Sequence, residues 1–132
     1  MQELTCKEVF ERCIQTLQVS DKDLLELLTC KEQNLLDFLL VDIREIFEYM
    51  NQSIAGTDLL LPTTTLHETI GILEENKEKF ILLYCRTGNR TSHVLGILKR
   101  KGFEKIAHLS DGIVGYSGKK LKNAPLPQER NI

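Results

Sequence analysis

The stretch Phe80-Ile81-Leu82-Leu83-Tyr84-Cys85-Arg86-Thr87-Gly88-Asn89-Arg90-Thr91 joins an unbroken apolar run to a cysteine and a short polar loop with one glycine and two arginines. A strand with one face in water would alternate apolar and polar residues. A continuous run marks a strand covered on both faces, as in a parallel sheet between layers of helices. Beyond the loop, Val94, Leu95, Ile97 and Leu98 recur at helical spacing, Lys99-Arg100-Lys101 complements the negative end of a helix dipole, and Gly102 offers a stop. The segment predicts strand, tight loop and helix, with the helix over residues 91–100. A second run, Phe38-Leu39-Leu40-Val41, closed by Asp42, predicts another doubly covered strand, and the fold class is α/β.

Further out, Thr5-Cys6-Lys7-Glu8 has the capping-box pattern, followed by Val9, Phe10, Cys13, Ile14 and Leu17 on one helical stripe, which predicts a first helix over 5–17. Ser20-Asp21-Lys22-Asp23 starts a second helix carrying Leu24, Leu25, Leu27 and Leu28, ending between Thr29 and Glu32. Between the two strong strands, 44–50 reads as helical and 54–61 as irregular or briefly extended. Pro62 and Thr63-Thr64-Thr65 lead into a helix marked by Leu66, Ile70 and Leu73. Residues 105–109 read as a last strand, followed by Asp111-Gly112 and a short helix or turn to Tyr116. The tail from Lys119, with Pro125 and Pro127, reads as loosely held. There is no internal repeat and no linker, so one domain is expected.

The 132 residues carry 17 basic and 19 acidic side chains, a formal charge of -2, without a long basic block. That excludes the electrostatic footprint of a nucleic-acid binder and confines any anion site to a local feature. No window approaches the ~20 apolar residues of a membrane span, and Met1-Gln2-Glu3-Leu4-Thr5 lacks the basic start and apolar stretch of an export signal, so a soluble, cytoplasmic chain is expected. Cysteines at 6, 13, 30 and 85 have no C-x-x-C spacing and no paired histidines, which argues against zinc and dithiol chemistry; no metal or cofactor is expected. On one helix Cys6 and Cys13 would lie roughly 10 Å apart along the axis, beyond the ~7 Å Cα limit for a disulfide, and they read as small buried apolar groups. Pairing of Cys30 with either stays open, although a cytosolic compartment would keep such thiols reduced.

A cysteine at the carboxyl end of a buried parallel strand sits where open α/β sheets place their ligands. The backbone N–H groups of the loop and of the first helical turn can converge on the sulfur. A free thiol of pKa near 8.5 is only about 3% ionised at pH 7, and each unit of lowering needs about 1.4 kcal/mol. One helix terminus supplies roughly 0.3–1 kcal/mol, so amide hydrogen bonds and an arginine are expected to add to it. Cys85 is thereby the candidate nucleophile. Gly88 permits a positive φ in so tight a bend, Thr87 and Asn89 suit a turn, and Arg86 is placed to meet an anionic donor. Arg90 either contacts that anion or ties the loop to a neighbouring carboxylate. Asp42 reads as structural, hydrogen-bonding the loop or an arginine, and Arg44 and Glu48 as an i,i+4 pair on one helix. His67, His93 and His108 are scattered, and the chemistry needs no histidine once the thiolate is preformed.

These residues resemble the rhodanese family, single-domain type, over roughly Val19 to Tyr116. The likeness rests on Val41-Asp42-Ile43-Arg44 followed by Glu48 and Tyr49, on the six-residue loop Cys85 to Arg90, and on Asp111-Gly112 ahead of Tyr116. It implies a three-layer fold with a central parallel sheet of about five strands, divided as an extension over 1–18, the domain over 19–118 and a tail over 119–132. The extra N-terminal helix would cap a sheet edge or form an oligomer contact. The resemblance further implies a sulfurtransferase: Cys85 takes a sulfane sulfur from thiosulfate or a polysulfide or persulfide donor, holds it as a persulfide, and passes it to cyanide or a thiol, on a small molecule or a partner protein. Two segments depart from the family pattern. Asn51-Gln52-Ser53-Ile54-Ala55-Gly56-Thr57 stands where Gly-His-Ile-Pro-Gly-Ala is common, and Asp111-Gly112 with Tyr116 stands where Gly-Gly and a later Trp are common.

The alternatives are a persulfide carrier or interaction module that turns over free donors poorly, and a cysteine-dependent phosphatase. The phosphatases that share this fold place five residues between Cys and Arg. Here there are four, Arg86 to Asn89, which makes the cradle narrow for a tetrahedral phosphate. Every version requires a sulfur that a donor can reach.

Overall fold

A computed structural model of the chain describes residues 2–128. Its elements are α1 (Gln2–Thr16), β1 (Gln18–Val19), α2 (Asp21–Glu32), β2 (Phe38–Asp42), α3 (Ile46–Asn51), β3 (Ser53–Ile54), β4 (Leu59–Leu60), α4 (Leu66–Glu75), β5 (Phe80–Tyr84), α5 (Asn89–Arg100), β6 (Ile106–Leu109) and β7 (Lys120–Leu121). Short 3-10 turns lie at Thr63–Thr65 and Ile113–Gly115. Five strands form one sheet in the order β1-β6-β5-β2-β4, every pair parallel, and the two apolar runs lie side by side from Phe38 opposite Phe80 to Asp42 opposite Tyr84. The α/β fold with a central parallel sheet between helices is as expected.

Successive strand residues point to opposite faces, so each run feeds two cores. Leu40, Leu82 and Tyr84 pack with Leu24 and Leu27 of α2, while Val41, Ile81 and Leu83 pack with Leu73 of α4 and Val94 and Leu98 of α5. Cys85 continues the second set. The N-terminal helix lies on the α2 face: Val9 and Cys13 enter that core and Phe10 meets the Phe80 ring edge-on at 4.9 Å.

Helix ends follow local chemistry. The Ser20 side chain accepts from the Asp23 N–H at 3.1 Å while Asp23 accepts from the Ser20 N–H at 3.4 Å, a capping box with aspartate in the third position. α1 starts at Gln2, ahead of the Thr5 signal, because Gln, Glu and Leu are good helix formers, and it stops at Thr16 because Leu17 takes a φ of 62°. That left-handed turn delivers the chain into β1, an edge strand of two residues too short to show in a pattern.

Two expectations fail here. The tail is strapped down as far as Gln128, residues 129–132 lying outside the described residues: β7 pairs antiparallel with β3, the Asn123 N–H donates to the Met50 carbonyl at 2.7 Å, and the Gln128 amide donates to the Leu60 carbonyl at 2.6 Å while accepting from the Leu60 N–H at 3.3 Å. A strand exposes unpaired backbone groups at its edge, and one glutamine amide satisfies both of them. Nor is Cys6 a free apolar filler. It forms a disulfide with Cys30, Cα–Cα 6.0 Å, stapling α1 to α2, so the expectation of reduced thiols does not hold for this pair. Cys13 stays free and buried, its thiol pushed up to about 12 by burial and by Asp23. Closing a loop of 24 residues' separation removes about 3.5 kcal/mol of unfolded-state entropy. Guanidinium unfolding with and without reductant should differ by about that much, and a difference below ~1 kcal/mol would show that the staple constrains little.

Among the described residues no helix is long and apolar enough to cross a membrane.

Candidate active site

β5 ends at Tyr84 and delivers Cys85 into the loop at the carboxyl edge of the sheet. The 3-10 turn at Ile113–Gly115 clamps that loop from outside: the Ile113 N–H donates to the Cys85 carbonyl at 2.9 Å and the Val114 N–H to the Arg86 carbonyl at 3.2 Å. Gly88, with φ 100°, caps α5, and a side chain there would collide with the Ser110 carbonyl. The helix therefore begins two residues before the expected Thr91, and its first N–H groups wrap the sulfur.

Cys85 Sγ accepts from the Gly88 N–H at 3.1 Å and lies 3.6 Å from Thr91 Oγ1. Burial raises the thiol, yet the Thr91 N–H and hydroxyl and the N–H groups of Gly88 and Arg90 outweigh it, so the net direction is downward, towards thiolate. Amides and a hydroxyl, rather than an arginine, supply the stabilisation. The sulfur is recessed: Cys85 is 1% exposed, while Arg86, Thr87 and Asn89 around it are exposed. Arg86 forms no ion pair among the described residues.

The other expected residues assemble differently from the sequence reading. Glu48 does not pair with Arg44. It takes both Nη atoms of Arg90 at 2.8 and 2.9 Å, which holds its carboxyl down at about 2 against the opposing effect of burial. Arg44 precedes α3, folds back onto Asp42 through Nε and Nη2 at 2.8–3.2 Å, donates to the Gln52 carbonyl at 2.7 Å and lies over the Tyr84 ring at 5.5 Å. Asp42 is fully buried and bonds Arg44, including its N–H at 2.9 Å. The i,i+4 spacing failed because the helix starts at Ile46, which leaves Arg44 outside it.

A cleft of about 570 Å³ opens beside the loop, walled by Arg44, Phe47, Glu48, Gln52, Arg86 and Val114. A larger, mainly apolar groove of about 700 Å³ runs between α4 and α5, with His93 on its wall. Cys85 lines neither. Among the described residues no group of three His, Cys, Asp or Glu side chains is arranged to hold a metal.

Two further residues lie against the sulfur's surroundings. Thr91 Oγ1 is 2.6 Å from His108 Nδ1, and β6 places His108 beside Leu83 of β5. Thr91 carried a signal, a hydroxyl in the first turn of the helix behind the candidate nucleophile. His108 carried none, because its nearness comes only from strand pairing.

A family model described as "Rhodanese-like domain" matches residues 20–119. The chain belongs to the rhodanese-like domain family. Over 95 residues it is 30% identical to the tRNA uridine(34) hydroxylase of Escherichia fergusonii, covering 69% of this chain and 27% of that protein. Over 78 residues it is 31% identical to the "probable adenylyltransferase/sulfurtransferase MoeZ" of Mycobacterium tuberculosis, covering 59% of this chain and 20% of that protein. The chain thus spans only about a fifth to just over a quarter of the length of these curated relatives. A rhodanese-related protein of Thermoplasma volcanium superposes with a TM-score of 0.66 at 25% identity, over 79% of this chain and 96% of that one.

Where this rhodanese-like domain departs from the family pattern, local contacts supply the turns. Gly112, with φ 64°, occupies the position with no room for a side chain, and Asp111 precedes it without a positive φ. In the 51–57 segment, Thr57 Oγ1 bonds the Ile54 carbonyl at 2.6 Å and the buried Tyr84 hydroxyl at 2.7 Å.

Proposed function

We propose that this rhodanese-like domain is a sulfurtransferase that carries sulfane sulfur on Cys85. The observation that carries the reading is the recessed sulfur with N–H donors converging on it. Such a site favours the negative charge of one extra sulfur atom. The Cys85 thiolate attacks the outer sulfur of thiosulfate, forming a new S–S bond, while the old one breaks and sulfite leaves with its electron pair. The terminal sulfur of the resulting persulfide bears the negative charge, which the loop amides that converge on Cys85, those of Gly88, Arg90 and Thr91, stabilise. Cyanide or a thiolate then attacks that sulfur, releasing thiocyanate or a new persulfide and restoring the Cys85 thiolate.

Arg86, exposed and unpaired by any carboxylate among the described residues, meets the anionic donor, and Thr87 completes the rim. Arg90 holds the loop in place through Glu48 rather than gripping the anion. That commitment also weighs against the phosphatase reading, in which this arginine would have to clamp a phosphate. The donors and acceptors, small-molecule or protein-borne, belong to the same proposal.

After incubation with thiosulfate and removal of excess donor, mass spectrometry of the folded wild type should show one added sulfur on the peptide containing Cys85. Cys85→Ala should show none. A folded wild type that gains no sulfur from thiosulfate or polysulfide overturns the proposal.

A further inference from the structure

Behind the candidate nucleophile runs a chain of polar side chains that thiolate chemistry does not by itself call for. Cys85 Sγ is 3.6 Å from Thr91 Oγ1, Thr91 Oγ1 is 2.6 Å from His108 Nδ1, and His108 Nε2 is 3.2 Å from Gln18 Oε1, which also accepts from the Ser110 hydroxyl at 2.6 Å. Thr91 is fully buried and His108 is 5% exposed. Gln18 lies on β1, directly opposite His108, in the segment ahead of the family match.

Counting protons gives this chain a direction. The Gln18 Oε1 atom is an acceptor, so His108 Nε2 carries a hydrogen and the neutral ring leaves Nδ1 as an acceptor. Thr91 has one hydroxyl hydrogen and three neighbours for it: the sulfur, the Gly88 carbonyl at 3.1 Å and Nδ1 at 2.6 Å. With neutral His108 the hydrogen lies towards Nδ1, and the oxygen turns a lone pair to the sulfur, which suits an S–H. With His108 protonated, Nδ1–H donates to the Thr91 oxygen and the threonine hydrogen is free to donate to a sulfur anion.

We propose that His108 receives the Cys85 proton through the Thr91 hydroxyl, so that thiolate formation and imidazole protonation are one coupled event held in register by Gln18. The S–H bond breaks and sulfur keeps the electron pair. Its proton joins Thr91 Oγ1 as the threonine's own hydrogen moves to Nδ1, leaving thiolate, unchanged threonine and imidazolium. No other reactant is needed. His108 touches no reacting atom and is a positioning residue.

The surroundings leave little else to set this coupling. Cys85 is the titrating group facing the ring across Thr91, α5 presents Thr91, β1 presents Gln18, and β6 adds Ser110. No carboxylate among the described residues is ion-paired to His108. Burial alone pushes the imidazole down, so a proton on it depends on a nearby anion.

The relay deepens the reading of Cys85 as a nucleophile, and its test uses no sulfur donor, so the two can fail separately. His108 is titrated by NMR in the wild type, Cys85→Ala, Thr91→Val and Thr91→Ser proteins, and alkylation of Cys85 by iodoacetamide is followed against pH by peptide mass spectrometry. The wild-type imidazole should titrate at least about half a unit higher than in Cys85→Ala, the equivalent of about threefold in protonation ratio. Thr91→Ser should keep that difference and Thr91→Val lose it. Gln18→Glu, an isosteric change at an exposed strand position, should raise both the imidazole titration and the alkylation rate at neutral pH. Identical His108 titration in wild type and Cys85→Ala, a difference that survives Thr91→Val, or no response to Gln18→Glu overturns the relay.

Discussion

Asp42→Ala is expected to lose about 3–5 kcal/mol of stability, measured by chemical denaturation, which is a large part of the ~5–15 kcal/mol available to a domain of this size. Arg44 is 4% exposed, and without Asp42 its guanidinium keeps, among the described residues, the Gln52 carbonyl, the face of Tyr84 and the more distant charge of Glu48. A buried charge without its counter-charge is far costlier than the intact pair is stabilising. Burial already pushes the Asp42 carboxyl up, against the hydrogen bonds from Arg44 that pull it down. The pair is therefore balanced against desolvation, and replacing both members with apolar residues, Asp42→Leu with Arg44→Met, should recover most of the loss. A single-variant loss under ~1 kcal/mol would mean that water reaches Arg44 once Asp42 is gone.

Gly112→Ala is expected to damage both stability and chemistry. Its φ of 64° with ψ of -169° belongs to a region that only glycine occupies without strain, at a cost of order 1–3 kcal/mol for any other residue. A Cβ at this position would also run into the Arg86 carbonyl and come within 2.6 Å of the Thr87 nitrogen, where ordinary contacts begin near 3.4 Å. These obstacles are backbone, so the loop itself must shift by about an ångström. Misplacement on that scale typically costs about a hundredfold in rate, and sulfur loading of Cys85 should fall by about that factor. Gly71→Ala, inside α4 with nothing within 4 Å of the added methyl, is the control: it should stabilise by up to ~1 kcal/mol and leave loading untouched. Unchanged loading in a folded Gly112→Ala protein would show that the 3-10 turn does not govern the cradle.

The three failures of the sequence reading share a cause, contacts that no local pattern encodes. Arg44 and Glu48 have ideal i,i+4 spacing, but the spacing matters only if both lie in the helix, and Arg44 is drawn away by Asp42, two residues before it. The tail looked loose because two prolines and few apolar residues leave no periodic signal, whereas its anchors are backbone pairs and one glutamine amide. Cys6 and Cys30 meet only because α1 folds onto α2, and nothing local in either segment encodes that approach.

What residue order settles here is the local part. Two apolar runs covered on both faces, a cysteine where one of them stops, and a glycine in the bend behind it lead to a parallel sheet with that cysteine at its carboxyl edge, because periodicity, strand burial and left-handed φ are properties of neighbours along the chain. Which side chains then surround the sulfur is decided by contacts between distant segments: Glu48 on Arg90 across 42 positions, Thr91 on His108 across 17, Gln18 on His108 across 90. A hydrogen bond depends on separation in space, and only the packed sheet brings those groups within 3 Å or so of one another.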